Sequence, residues 1–332
     1  MQESIKTVFF GPFFGELGWE LAHWHGWVKK MCREKYQSFR KIASSYPGRE
    51  LFYPDVDEFW PHPAQITNLK ISQRGYIADY WFGNFPKPDA EADIDKNIGW
   101  YVAKLLAEYK TKLPKDTKFY VPHRLNVYRL NGKRRFIGSL LLKWLPFDGI
   151  LKFPSPPQEH QIFERLKPSP KGEDFFKENF GSGKKIIAVF PRHRQARRPD
   201  KNWPKENYDL LIKKLQADYP NLKVAVLGEP GGAYYTEGVP AGCLDLISLA
   251  REIRLDTQLA ALQNSVLAIG SVSGAMRVAA LASCPLVEWG HKSYQEVAMV
   301  KQNFLKSKVI FLPEANPSVE KIKNIIDLTL RG

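Results

Sequence analysis

From Lys184 onward the chain alternates short apolar runs with amphipathic stretches, and this alternation constrains the fold more than any other feature. KKIIAVFP reads as a buried strand leading into the polar segment RHRQARRPDKNW. A helix is expected from about Pro204 to Tyr219, with Tyr208, Leu211, Ile212, Leu215 and Tyr219 at helical spacing. Pro204 suits its first turn. KVAVLGEPGG reads as a strand ending in a glycine turn, and DTQLAALQNS as a short helix capped by Asp256. VLAIGS is a strand, SGAMRVAALAS a helix and PLVEWG a strand, and a last helix is expected over Ser318–Leu330. Apolar strands separated by helices build a parallel sheet covered on both faces.

The first half opens the same way. Strand KTVFF is followed by a glycine turn, GPFFGELG, a helix to Arg33, a strand in KIASSYP and a later helix in NIGWYVAKLLAEY. Residues 48–90 are rich in proline and aromatics and show no period. FPSPPQEHQIFERLKPSPKG carries five prolines between Pro154 and Pro170, the composition of a stiff extended linker. A chain of 332 residues exceeds one ordinary core. The expected organisation is α/β: a Rossmann-like domain at 1–153, a linker region at 154–183 and a second Rossmann-like domain at 184–332. Two such sheets would face a cleft, where small-molecule sites form.

Composition narrows the classes. Hydrophobic residues at 44% and charged residues at 25% describe a folded globular protein. No run approaches the roughly 18 apolar residues of a membrane-spanning helix. MQESIKTVFFGPFF lacks the order of a signal peptide. Cys32, Cys243 and Cys284 form no spaced pair, so neither a disulfide framework nor structural zinc is expected, and the expected location is cytoplasmic. The net charge of +14 calls for a partner bearing phosphates or an acidic surface. The cations concentrate at one turn, and no helix-turn-helix, zinc-finger or RNA-recognition signature appears, which disfavours nucleic acid.

Three segments carry chemistry. In FPRHRQARRPDKNWP, five permanent cations from Arg192 to Lys201 follow a strand end, with His193, Arg194 and Arg198 among the segment's candidate ligands. Arginine forks match phosphate oxygens two at a time, so the cluster suits a diphosphate; a solvated basic loop is the plainer reading. In VLAIGSVSGAMRVAALAS, the small residues Gly270, Ser271, Ser273 and Gly274 join a strand to a helix start, which attracts anions, with Arg277 one turn on. Tight strand–helix packing alone would also demand them.

In GPFFGELGWELAHWHGWV, helical spacing places Glu16, Glu20, His23 and Trp27 on one polar face above the turn containing Gly15 and Gly18. Leu17, Leu21, Trp24, Val28 and Met31 form the adjacent apolar face, and His25 points elsewhere. A carboxylate at a helix start stays ionised and can accept a proton; acids complementing the helix dipole are the plainer reading.

Together RPDKNWPKENYDLLIKKL, VAVLGEP and DTQLAALQNSVLAIGSVSGAMRVAALASCPLVEWG resemble the donor-binding half of the bacterial heptosyltransferases, from Ile186 to Gly290. The resemblance implies a glycosyltransferase of the B-type fold using a nucleotide diphosphate sugar and a glycan or glycolipid acceptor. It implies that Lys201 contacts donor phosphate, that Ser273 and Gly274 hold the diphosphate, and that Glu16 in Gly15-Glu16-Leu17 is the catalytic base, with Glu20 as understudy. Such enzymes generally need no metal or cofactor. Two positions depart from the family: Val272 stands where aspartate is usual, and Arg277 where histidine is. SVSGAMRVA is instead similar to a fucosyltransferase motif of the same fold, and HRQARR loosely resembles their arginine motif.

Other features stay open at this level. Asp55, Asp57 and Glu58 form an acidic cluster better read as a solvated turn than as a metal site. Trp19, Trp24, Trp27, Trp60, Trp81, Trp100 and Trp144 could stack on an acceptor or fill a core. KRRFIGSLLLKWLPF, at 133–147, suits a buried helix better than contact with an anionic membrane at the inner face. A nucleotide-sugar epimerase of the same fold would keep the phosphate turns and lack an acceptor site.

Overall fold

The computed structural model describes residues 6–13, 15, 17–64, 105–122, 128–130, 133–135, 149–151, 160–181, 183, 185–194 and 198–331. Glu16, Arg197, Trp81, Trp100, Trp144, the start of the NIGWYVAKLLAEY helix, residues 136–147 and the first prolines of the linker lie outside them. The chain divides into two compact units, Met1–Ile162 and Phe163–Gly332.

The first unit holds a five-stranded parallel sheet in the order β3–β2–β1–β4–β7. Its strands are β1 (Thr7–Phe10), β2 (Arg40–Ser45), β3 (Glu58–Pro61), β4 (Lys118–Pro122) and β7 (Gly149–Leu151). A hairpin of β5 (Tyr128–Leu130) and β6 (Lys133–Arg135) stands apart from it. The basic residues at the start of the 133–147 segment are therefore strand, not the helix expected there. All four residues of β1 are buried, and alternation sends successive rings to opposite faces. Phe9 packs with Trp60, Tyr109 and Phe119, while Phe10 meets Trp27, Tyr36 and Tyr120. Trp24 is 1% exposed. Trp24 is thus a core residue, and Trp60 is half-buried against Phe9 and Tyr109.

The second unit holds a six-stranded parallel sheet ordered β10–β9–β8–β11–β12–β13. The strands are β8 (Ile186–Phe190), β9 (Lys223–Val226), β10 (Leu244–Asp245), β11 (Ser265–Ser271), β12 (Leu286–Trp289) and β13 (Val309–Leu312). Helix α1 spans residues 17–35 of the first unit. The second unit contributes α2 (Pro170–Phe180), α3 (Lys205–Asp218), α4 (Arg251–Gln263), α5 (Gly274–Leu281) and α6 (Val319–Arg331). Tyr208, Leu211, Ile212 and Leu215 are buried as their spacing requires, in one cluster with Val189, Val287, Trp289, Ile322 and Ile326. Trp203 completes it, its indole N–H donating to Pro317 O at 2.9 Å. Pro204 stands one position before α3 rather than in its first turn.

Within the stretch expected as a linker region lies α2, whose Phe176 is buried and which falls in the second unit. One expectation is corrected here. Asp256 lies inside α4 rather than at its start. Its carboxylate accepts from Ser169 N and Oγ at 2.7 and 2.5 Å, while Ser169 Oγ caps α2 by accepting from Gly172 N. Proline content alone cannot reveal a helix whose apolar side finds a partner far along the chain.

Candidate active site

In the second unit the strand order reverses at β8 and β11, and the carboxyl ends of these strands are where an open α/β sheet holds ligands. Gly270 lies beside Phe190 there. A Cβ at Gly270 would come within 2.8 Å of Phe190 O, so the approach of β8 and β11 requires glycine.

The basic loop leaving β8 is held by Asn202, which no local pattern singles out. Asn202 Oδ1 accepts from Arg194 N at 3.0 Å and from Arg192 Nη1, and its Nδ2 donates to Arg194 O at 2.8 Å. The loop also pairs with the glycine turn after β9: His193 N donates to Gly232 O and Tyr234 N to Pro191 O. The His193 ring stacks on Tyr234 at 4.3 Å. Burial, with help from the Arg192 charge, lowers the His193 pKa and favours the neutral imidazole. Arg192 is 8% exposed, whereas His193 and Arg194 are half-buried.

Further along, Arg198 takes a left-handed backbone conformation and turns its fork onto Asp200, with Nε to Oδ1 at 3.0 Å and Nη2 to Oδ2 at 2.8 Å. Its Nη1 donates to Tyr294 Oη. Those hydrogen bonds hold the Asp200 carboxyl below its ordinary range. His291 Nε2 lies 3.0 Å from Asp200 Oδ2, and Lys201 Nζ sits 3.5 Å from the centre of the Tyr294 ring. Tyr294 also packs against Val272, Ala298 and Phe311. It therefore joins the basic loop to the turn after β11. Val272, where the family resemblance expects aspartate, supplies part of that apolar seat.

Ser273 caps α5 by accepting from Met276 N, and Gly274 opens the helix. Ser271 is 1% exposed. Arg277 departs from expectation. It is 2% exposed, and its Nη2 donates to Glu288 Oε2 while Nη1 donates to Ala298 O at 3.1 Å. Glu288 is itself fully buried in β12. Arg277 thus completes an interior ion pair instead of joining the cations of the loop.

In the first unit the turn after β1 is tightly stitched. Gly11 N donates to Tyr120 O and Phe13 N to Ser44 O, while His62 Nε2 lies 2.7 Å from Phe13 O. Burial lowers the pKa of His62 to about 3. Gly15 is buried, and a Cβ on it would fall 2.1 Å from the Phe13 ring. Gly18 is half-buried in the first turn of α1.

Among its described members, Glu20, His23 and Trp27, the polar face expected on α1 does not form. The helix winds with i→i+5 turns at Glu20–Trp24 and Met31–Lys35, and the first of these breaks the spacing that aligned those three residues. Glu20 is fully buried, accepting from Ser45 Oγ, Tyr53 Oη and Arg49 Nη1, each at 2.5 Å. Burial pushes its carboxyl up, and Arg49 and the two hydroxyls pull against that. Its oxygens are occupied, so it is no understudy for a base. His23 packs against Trp19 in a tilted contact at 4.5 Å with its pKa lowered to about 4 by burial, and Trp27 lies among Phe10, Trp24 and Tyr120. His25 is buried, with Nδ1 3.2 Å from Glu20 O. Each acid of the 55–58 cluster meets a cation: Asp55 meets Arg33 and Lys29, Asp57 meets Lys41, and Glu58 meets Arg40.

Residues 151–288 match the model of Glycosyltransferase family 9 (heptosyltransferase). No curated protein matches the chain. Among solved structures, a glycosyl transferase family 9 protein from Veillonella parvula aligns with a TM-score of 0.58 at 13% identity, covering 100% of this chain and 99% of that one. The E. coli ADP-heptose LPS heptosyltransferase II aligns at 0.53 and 16% identity, covering 98% and 99%. The E. coli heptosyltransferase WaaC, solved with ADP, aligns at 0.51 and 12%, covering 98% and 100%. These likenesses establish the B-type glycosyltransferase fold. With the family match over the strands and turns just described, the chain is a glycosyltransferase resembling the heptosyltransferases. No helix among the described residues is long and apolar enough to cross a membrane.

Proposed function

We propose that this glycosyltransferase moves a sugar from a nucleotide diphosphate sugar onto a hydroxyl of a glycan or glycolipid acceptor, by one direct displacement that inverts the anomeric carbon. The carrying observation is the pairing of two phosphate-competent turns, Arg192–Lys201 after β8 and Ser273–Gly274 after β11, where the strand order reverses. The leaving diphosphate gains charge as the glycosidic bond breaks, and preorganised donors lower that barrier most. Arg194, Arg198 and Lys201 supply cations, and the start of α5 supplies N–H groups and the positive end of its dipole. With that charge met by side chains, no metal is required.

The acceptor proton goes to Glu16, which follows the stitched turn after β1. Glu20 belongs to the buried network with Arg49 and is left out of the chemistry. The base, sugar and acceptor identities rest on loops that vary among such enzymes. A thermal-shift screen of nucleoside diphosphates, then of their sugars, tests the donor reading, because a ligand of the folded state raises the melting temperature by its affinity. WaaC was solved with ADP, so ADP is the first to try. A rise with one nucleoside diphosphate supports the reading. No rise with any of them, in a chain that melts cooperatively, defeats it.

A further inference from the structure

Two of the cations assigned to the donor are already engaged by the chain's own groups. Every nitrogen of the Arg198 fork has a partner: Nε and Nη2 on the two oxygens of Asp200, Nη1 on Tyr294 Oη. The paired Nε/Nη2 edge presents two parallel donors to one oxyanion, which is how arginine grips a phosphate. Here a carboxylate occupies that edge in the same bidentate geometry. Lys201 meanwhile rests on the face of Tyr294, where the ring quadrupole attracts an ammonium in place of water or an anion. Asp200 reaches the segment after β12 through His291, and Tyr294 is seated on Val272, Ala298 and Phe311. The contacts thus tie the loop after β8 to the segment after β12.

Resting on the donor reading above, we propose that Asp200 and Tyr294 form an internal latch, competing with donor diphosphate for Arg198 and Lys201. A phosphate that takes the Nε/Nη2 edge of Arg198 must displace the Asp200 carboxylate. A phosphate that draws Lys201 must lift its ammonium from the Tyr294 ring. Donor affinity is then set by the difference between the phosphate contacts and the latch contacts they replace. The latch lies at the surface, with Arg198 and Asp200 47% and 41% exposed, so its pairs are individually weak and readily exchanged. Opening would release the basic loop from the segment after β12, so the latch also sets how freely that loop moves between donor turnovers.

The test is the affinity of the full-length chain for whichever nucleoside diphosphate binds best, by calorimetry, in wild type, Asp200→Asn and Tyr294→Phe. Asp200→Asn removes the competing charge. Tyr294→Phe removes only the hydroxyl that accepts from Arg198 and leaves the net charge unchanged. The latch requires both variants to bind more tightly, Asp200→Asn by about 3–5-fold and Tyr294→Phe by about 2-fold, amounts expected for releasing exposed contacts of this kind. Tighter binding by Asp200→Asn with Tyr294→Phe unchanged would reduce the effect to overall charge and overturn the latch. Weaker binding by Asp200→Asn would make the carboxylate a support that presents Arg198 to phosphate, and would overturn it too. If wild type and both variants remain folded and bind no nucleoside diphosphate, the donor reading itself fails and the latch falls with it.

Discussion

Arg277→Ala should cost folding stability rather than donor affinity. Its guanidinium and the Glu288 carboxylate are 2% and 0% exposed, so each removes the other's desolvation cost. Truncating the arginine leaves the buried Glu288 carboxyl without its counter-charge, and Ala298 O loses its side-chain donor. Breaking such a pair typically costs about 3–5 kcal/mol, because the surviving charge is stranded. In a unit of this size that corresponds to a fall of roughly 6–20 °C in melting temperature. Replacing both partners, as Arg277→Met with Glu288→Leu, removes the stranded charge and should recover most of the loss. Calorimetric melting of the full chain reads this out as movement of the second unit's transition. Nucleotide titration at low temperature, where the variant stays folded, should give near wild-type affinity. If Arg277→Ala melted normally but bound nucleoside diphosphate far more weakly, the interior ion pair would be the wrong account and Arg277 would belong among the donor ligands.

Asn202→Ala removes three hydrogen bonds that shape the basic loop; nucleotide affinity should fall by about 1–2 kcal/mol in titration, and unchanged affinity would remove Asn202 from the site. Glu20→Gln should lower the melting temperature of the first unit by stranding Arg49, at a cost of about 3–5 kcal/mol, with turnover of the folded fraction nearly intact; a folded variant without turnover would return Glu20 to the chemistry. Glu16→Gln keeps the shape of the side chain but accepts no proton, so the turnover rate should fall about 100-fold with donor affinity little changed; normal turnover would place the base elsewhere. The first unit should also lose stability as pH falls from about 6.5 toward 4. His23 and His25 are lowered to about 4 and His62 to about 3 from 6.5, so the unfolded chain binds protons that the folded chain excludes. Denaturant titrations across that window should show the slope for His62→Asn reduced by about one proton, and an unchanged slope would mean that His62 is protonated in the fold.

How far the sequence could be read differs by level. The strands and helices named in the second half are all present, because a strand buried on both faces must be a continuous apolar run and its helices must show one apolar stripe, whereas α2 and the short edge strands β10 and β13 went unnamed. Gly270 and Ser273 were legible for the same local reason. What failed were side chains whose partner lies in another element. Arg277 looked like a phosphate ligand, although a clue stood in view: Glu288 interrupts an apolar strand, and a buried acid needs a buried cation. Glu20 was aligned with His23 and Trp27 by assuming 3.6 residues per turn, and the wider turns of α1 undo that spacing. Asn202, Tyr234, His291 and Tyr294 left no local trace, since they matter only once the loops after β8, β9 and β12 fold beside one another.

The central claim is that the loop after β8 holds a nucleoside diphosphate. The most direct measurement is calorimetric titration of nucleoside diphosphates into the wild type and into the double variant Arg194→Ala/Lys201→Ala, with melting curves for both. Saturable binding by the wild type is expected, weakened about 100-fold or more in the double variant while its melting temperature holds, since each lost charge-assisted contact is worth roughly 1.5–3 kcal/mol. Equal affinity in the two proteins would contradict the account and leave the loop as a solvated basic segment.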